Sequence, residues 1–341
     1  MPELPEVETV RRVIGPQIIG RRIERVDLRR PQIAAHPDAA EFPALLSGSE
    51  ITDLTRRGKF LCLRLTDGRT AADQNPKAAA RETRRNTADR LIIHLRMTGS
   101  LLATPSDAPL ARHTHLRLFL GSQSGPGTET KAVNTGTTNM RTPGTDTANA
   151  VPDTADAAPD TADAAPAASS CELRFIDPRG FGRCWLLRAG EEDRFSGIAA
   201  LGPEPDDPKL TGSRLRQACG QSRRAIKSCL LDQHVVAGIG NIYADEILFA
   251  AGIRPGRAAR RLLVREWEDL ARLIPERLKF FTEKNAISAA DYLRSGGSDY
   301  RNTPWLNVYG RAGQPCRNCG QPLAHRTIGG RTSVYCPRCQ R

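Results

Sequence analysis

The sequence predicts an α+β chain of several domains: an N-terminal antiparallel β-sandwich with an N-terminal helix, then a helical domain, then a C-terminal cysteine-rich hairpin. Three observations carry that reading. Short segments alternating apolar and polar residues recur up to about position 187, with the period of half-buried strands. From about Leu215 the apolar period becomes helical. The chain then closes on two Cys-x2-Cys pairs, in CRNCG and YCPRC. Its 341 residues allow about two cores of ordinary size.

The first residues, MPELPEVE, make a poor strand, and no basic stretch followed by an apolar one marks a secretory signal. Val7, Val10 and Ile14 share a helical face, so the spacing predicts a short helix over 6–14, stopped by Gly15 and Pro16. Strands are expected at 22–28, 60–65, 91–96, 115–120, 172–176 and 184–187. Two polar stretches interrupt them. Residues 69–90 are polar and basic, and residues 121–170 repeat PDTADAA in tandem within a Gly-, Thr-, Pro-, Ala- and Asp-rich run. Such compositions bury too little apolar surface to offset ordering entropy, so both are expected as disordered expansions of hairpin loops. Farther on, Ile226 and Leu230 lie one turn apart, and HVVAGIGN breaks that helix. A second helix starts at Asn241, with Tyr243, Ile247 and Ala250 on one face and Gly252 at its end. A third runs through Trp267, Leu270, Ile274, Leu278 and Phe281, with a kink expected at Pro275.

No apolar run approaches the ~20 residues needed to span a bilayer. The expected compartment is the cytoplasm, at the nucleoid, where thiols stay reduced. The formal net charge is +12, and residues 311–341 hold six arginines and no acid. A concentrated basic tail suggests a polyanionic partner, most simply nucleic acid.

Four constellations carry chemistry. Cys316-x2-Cys319 and Cys336-x2-Cys339, 16 residues apart, match a tetrathiolate zinc site. Four protein thiolates leave no open position, so one structural Zn2+ is expected, holding a hairpin too small to fold alone. Arg331 lies near the tip of that hairpin, where it is either a solvated turn residue or a phosphate grip. GIGNIYADE, at 238–246, is a glycine turn feeding a helix N-terminus, with Asn241 as expected N-cap and the free N–H groups as an anion site. At the other end, a small residue after Met1 favours its removal, leaving Pro2 as a secondary amine. With a pKa of about 8, an appreciable fraction is neutral and nucleophilic near pH 7. Attack on a sugar C1′ would give a cationic iminium that acts as an electron sink, with Glu3 beside it as proton donor and acceptor. Taken alone, Glu3 and Glu6 serve equally well as acids at a helix N-terminus. Finally, HLRMTGSL at 94–101 and DPRGFG at 177–182 each pair a glycine turn with outward-reaching types. Met97 and Phe181 suit wedging into a base stack and Arg179 suits a base edge; core packing is the competing account.

Together these motifs resemble the bacterial formamidopyrimidine-DNA glycosylase family. PELPEVETVRR, RRGKFL at 56–61, HLRMTGSL, DPRGFG, LGPEP at 201–205, GIGNIYADE, VYGR at 308–311 and the cysteine pairs follow the family's order. The resemblance implies a β-sandwich catalytic domain over 2–200, a helix–two-turn–helix domain over 201–307 and a zinc ribbon over 308–341. It implies a monomer that excises oxidised purines from double-stranded DNA and then cleaves the strand. Pro2 would be the nucleophile, Glu3 the general acid/base and Glu6 its support, with Lys59 and Arg331 completing the catalytic set. His94, Lys227, Asn241 and Arg331 would hold DNA, and Met97, Arg179 and Phe181 would fill the gap left by the flipped nucleotide. The family carries a second arginine where this chain has Gly180. Two rivals are an endonuclease VIII-like enzyme for oxidised pyrimidines and an inactive clamp on damaged DNA. Leu4 and Phe181 argue against the first; Pro2, Glu3 and Lys59 argue against the second.

Overall fold

A computed structural model describes residues 2–67, 89–123, 171–298 and 301–341. Of the two expected inserts, 69–88 and 124–170 lie outside the described residues. Their edges correct the sequence reading: Asp89 and Arg90 pair with Leu65 and Arg64, and Gln123 pairs with Arg21, so these polar positions belong to strands. Ladder hydrogen bonds extend past the point where apolar alternation stops.

In chain order the elements are α1 (Leu4–Ile18), β1 (Arg21–Leu28), β2 (Ala34–His36), α2 (Phe42–Leu46), β3 (Ser49–Arg57), β4 (Phe60–Asp67), β5 (Asp89–His94), β6 (Ser100–Pro105), β7 (Thr114–Gln123), β8 (Cys171–Ile176) and β9 (Arg183–Leu187). There follow α3 (Gly212–Cys219), α4 (Ile226–Leu230), α5 (Asn241–Ala250), α6 (Val264–Lys284), α7 (Ala289–Arg294), β10 (Ala324–Ile328) and β11 (Arg331–Tyr335). α1 runs longer than the expected 6–14 and through Pro16. Pro16 removes the donor to the carbonyl of Arg12, but Arg12 is exposed to water, while Ile18 in the last turn is fully buried. Burial of that last turn outweighs the lost bond.

The strands run in the order β2-β9-β5-β4-β3-β1-β7-β8-β6. β1 touches β3 through Arg22 and Glu50 and then pairs along its length with β7, so it joins two layers. All pairings are antiparallel except β2 with β9. Leu61, Leu63, Leu91 and Ile93 from one layer share a core with Leu118, Leu173 and Phe175 from the other, and Val10, Ile14 and Ile18 of α1 belong to it too. Each such side chain contributes roughly 1.5–3 kcal/mol by leaving water. On the outer face, Phe60, Ile92, Trp185 and Leu187 pack against Leu201, where the chain leaves the sandwich.

The expected strand at 91–96 ends early, because Arg96 takes a left-handed backbone (φ 57) and its N–H bonds back to His94 Nδ1 at 2.9 Å. Three strands escaped the sequence reading: β2, only three residues long, β3 and β6. In β3 a register shift between Ile51 and Asp53 breaks the alternation, and in β6 consecutive residues Leu101–Ala103 are buried on both faces.

The helical half packs Leu215, Ile226, Leu230, Tyr243, Ile247, Trp267, Leu270, Ile274 and Phe281 into a second core. α6 continues through Pro275 as one helix. β10 and β11 form a hairpin turned at Gly329 and Gly330, docked on α5. Among the described residues no helix is long and apolar enough to cross a membrane.

Candidate active site

Where the sandwich meets the helical half lies a cleft of about 690 Å³ lined by Pro2, Lys59, His94, Met97, Phe181, Gln233 and Arg331 among others. Residues from both ends of the chain therefore share one cavity. A second cleft, about 560 Å³, reaches Glu3 from the side of α5 and the hairpin, and shares Met97 and Arg331.

Glu3 joins the two halves. It is 1% exposed, and its carboxylate accepts hydrogen bonds from the N–H groups of Gly240 (2.8 Å), Ile242 (2.9 Å) and Tyr243 (3.3 Å). It thus caps α5 at Gly240 from 237 positions away in the sequence, and its charge meets the positive end of the helix dipole. This corrects the expectation for Asn241: the N-cap is Gly240, whose missing side chain makes room for the carboxylate. A methyl group on Gly240 would lie 2.2 Å from Glu3 Cδ.

Behind Glu3 lies a buried polar chain. The Glu3 N–H donates to Glu6 Oε2 at 2.8 Å. Glu6 Oε1 accepts from the Tyr243 hydroxyl and from Asn302 Nδ2 (2.7 Å), and Asn302 also reaches the Tyr243 oxygen at 2.6 Å. Burial, and then the charge of Glu3, push the Glu6 carboxyl up to about 7. Asn302 gave no signal in the sequence; only folding brings it within reach of Glu6, 296 positions away.

Lys59 sits on a loop held by Glu204 of LGPEP, which accepts from Arg56 (2.6 Å), Arg57 (2.7 Å) and the Gly58 N–H (2.6 Å). Its ammonium donates to the Ile239 carbonyl at 2.9 Å, so the lysine points at the start of α5. Burial lowers the Lys59 pKa, partly opposed by Glu3. His94 stands edge-on to Phe60 at 4.5 Å, and burial, then Arg96, hold its imidazole down at about 3, so it is neutral.

Arg331 is exposed at the hairpin tip. Lys227, expected on DNA, is placed elsewhere: it is fully buried, with its ammonium 2.8 Å from Asp245 Oδ1, 2.7 Å from Ser333 Oγ and 3.1 Å from the Thr332 carbonyl. Asn241 Nδ2 reaches the same carbonyl at 3.2 Å. Both therefore pin the strand that presents Arg331. Glu246 anchors the segment leading to the hairpin, accepting from the N–H groups of Asn307, Val308 and Tyr309 at 2.9–3.0 Å.

The four thiols of Cys316, Cys319, Cys336 and Cys339 lie within 4.8 Å of one another. Tetrahedral zinc with Zn–S bonds of about 2.3 Å needs sulfurs that close, and the Cys339 N–H already points at Cys336 Sγ at 3.4 Å. The donor set fits one structural zinc.

On the rim, Met97 is 43% and Phe181 47% exposed. The Arg179 guanidinium lies 3.6 Å from Met97 Sδ and 4.8 Å from the centre of the Phe181 ring, so the three form one stack. Buried Asp177 shapes the loop beneath them, accepting from Thr98 Oγ1 (2.5 Å), Arg179 N (3.2 Å) and Gly182 N (2.7 Å). Core packing, the competing account for these residues, does not describe them.

A two-layer β domain, a helix–two-turn–helix domain and a zinc ribbon around a basic cleft define a class of DNA-repair glycosylase folds. Family models match along the chain: the formamidopyrimidine-DNA glycosylase N-terminal domain at residues 1–145, the H2TH domain at 201–291 and the zinc finger found in FPG and IleRS at 313–341. Formamidopyrimidine-DNA glycosylase of Moorella thermoacetica is 37% identical over 323 residues, covering 95% of this chain and 93% of its own. That of Methylococcus capsulatus is 34% identical over 341 residues, covering all of both. The Lactococcus lactis enzyme bound to abasic-site DNA superposes with a TM-score of 0.72 at 25% identity over all of both chains. The same enzyme in complex with Fapy-dG DNA gives 0.71 at 26%, covering 99% of this chain and 100% of its own. This chain belongs to the formamidopyrimidine-DNA glycosylase family.

Proposed function

We propose that this protein excises oxidised purines, formamidopyrimidines and 8-oxoguanine, from double-stranded DNA and cleaves the resulting abasic site. The observation that carries the reading is the placement of Pro2 in the cleft beside a Glu3 carboxylate fixed by three N–H bonds. After removal of Met1, the Pro2 amine attacks C1′ and the bond to the base breaks, with the electron pair and a proton leaving on the base. The nitrogen loses its proton, and its lone pair then opens the C1′–O4′ bond to form the iminium, with Glu3 delivering the proton that O4′ takes up. The iminium then accepts the electrons of the C2′–H bond as the 3′ phosphate departs, and a second elimination releases the 5′ phosphate. Lys59 and Arg331 hold the phosphates flanking the reacting sugar, His94 and Asn241 line the same strand, and Lys227 acts by positioning the Arg331 strand. Met97, Arg179 and Phe181 occupy the vacated stack once the nucleotide is extruded. The domain boundaries fall at 200/201 and 307/308, and the enzyme works on the nucleoid as a monomer.

Borohydride trapping tests this reading. The protein is reduced in the presence of duplexes carrying 8-oxoguanine opposite cytosine, a formamidopyrimidine, or thymine glycol. A covalent adduct on the purine lesions, mapped to Pro2, is expected. Preferential trapping on thymine glycol would assign an oxidised-pyrimidine enzyme. Binding with no adduct on any duplex would leave only a clamp.

A further inference from the structure

The wedge loop carries a cation that no motif reveals. Gly180 lies between two exposed residues, Arg179 and Phe181, yet is itself buried. Arg30, just past the end of β1, lies over it: a methyl group built on Gly180 would sit 2.2 Å from Arg30 Nη1 and 2.4 Å from Cζ. Gly180 has φ +63, a left-handed backbone conformation that disfavours a side chain.

Among the described residues the Arg30 guanidinium has no hydrogen-bond or ion-pair partner, although its backbone N–H is tied to the His115 carbonyl at 3.3 Å. A guanidinium offers five donors, and leaving them unused beside a protein surface is costly unless water or a ligand takes them. Its surroundings are cationic. Arg179 stacks on Phe181 in the same loop, and Arg183 donates to the carbonyls of Gly180 (3.2 Å) and Gly182 (2.7 Å). The loop's carboxylate, Asp177, is buried and already accepts from Thr98, Arg179 and Gly182. Bracing the loop is the work of Arg183 and Asp177, and needs neither a charge nor open donors on Arg30.

We propose that Arg30 is a DNA-binding residue: its guanidinium takes a backbone phosphate of the duplex next to the step that Phe181 enters. The inference rests on the proposed function, since it needs the wedge loop to meet damaged DNA. Arg30 thus supplies, from the end of β1, a cation that position 180 lacks. A phosphate contact of this kind fixes how the duplex sits on the wedge and carries no base preference of its own.

The test is equilibrium binding of the full-length protein to a duplex with a stable abasic-site analogue, opposite cytosine or adenine, from about 50 to 200 mM salt. Arg30→Gln is expected to bind about tenfold more weakly at low salt, as for loss of one charge-assisted hydrogen bond. Its plot of log affinity against log salt should be shallower by about 0.9, with either opposing base. Arg30→Lys, which keeps the charge, should retain the parental slope. Equal melting temperatures of the variants without DNA would show that the loop is intact. An unchanged slope for Arg30→Gln, or a loss equal at every salt concentration, would overturn the proposal and make Arg30 a brace. A loss confined to one opposing base would overturn it in favour of a base-edge contact. Failure of the unaltered protein to bind the abasic duplex would instead sink the reading of function.

Discussion

Glu6 ties the site's chemistry to its stability. Its carboxyl is raised from 4.5 to about 7 in the folded protein, so between those values the native state holds a proton that the unfolded chain has released. The stability linked to this group is fully present below about pH 4.5 and is lost as pH rises through about 7, a change of roughly 3 kcal/mol. Urea unfolding across that window should show the decline, and Glu6→Gln should flatten it; an unaltered slope would clear Glu6 of responsibility. Asn302→Ala removes the donor to both Glu6 Oε1 and the Tyr243 oxygen. It should cost about 1–3 kcal/mol, read from the same unfolding curves. The four cysteines were legible because residue type plus spacing suffices, whereas Pro2 and Glu3 stood out only through the family resemblance, since a proline and an acid at a helix N-terminus are ordinary by themselves. Asn302, Glu246 and Glu204 were not legible, because each acts on groups between about 60 and about 300 positions away and no periodicity marks it.

Individual elements depend on buried charges. Lys227 and Asp245, 2.8 Å apart and both fully buried, join α4 to α5 and so to β11. Lys227→Met leaves Asp245 without its partner, which should cost about 3–5 kcal/mol and loosen the hairpin. Hydrogen exchange at 324–335 should accelerate while amides of β4 and β5 stay protected. Removing zinc should act on the same element, since the hairpin core is little more than Val308, Leu323, Val334 and the cysteines. After chelation, or in Cys316→Ser, far-UV circular dichroism should retain the sandwich while DNA binding is lost; intact binding would break the link between zinc and the phosphate grip. Strands with clean alternation, such as β4 and β5, were legible in the sequence. β3 and β6 were hidden by a register shift and by burial on both faces, where the period of two disappears. α1 was read too short because the rule that Gly-Pro stops a helix ignores what the next turn buries.

For the whole molecule, the order of domains followed from the change of hydrophobic period and from the cysteine pairs, but how they meet did not. Neither Pro2 nor Arg331 indicates in sequence that both line one cleft. The strands flanking 124–170 pair in register, Leu120 with Cys171 and Phe119 with Glu172. Replacing 124–170 by a short turn should therefore leave the sandwich folded and borohydride trapping on 8-oxoguanine duplexes undiminished. Loss of trapping would show that the insert takes part in the reaction.

Capping α5 by Glu3 also sets a schedule. A ribosome delivers position 3 long before positions 240–243, so for most of synthesis the carboxylate has no N–H groups to hold and the amine beside it no oriented partner. A chain that stops before position 240 carries Pro2 and Glu3 without the N–H groups that fix the carboxylate. The carboxylate is fixed only once position 243 has been made and the two halves have closed on each other.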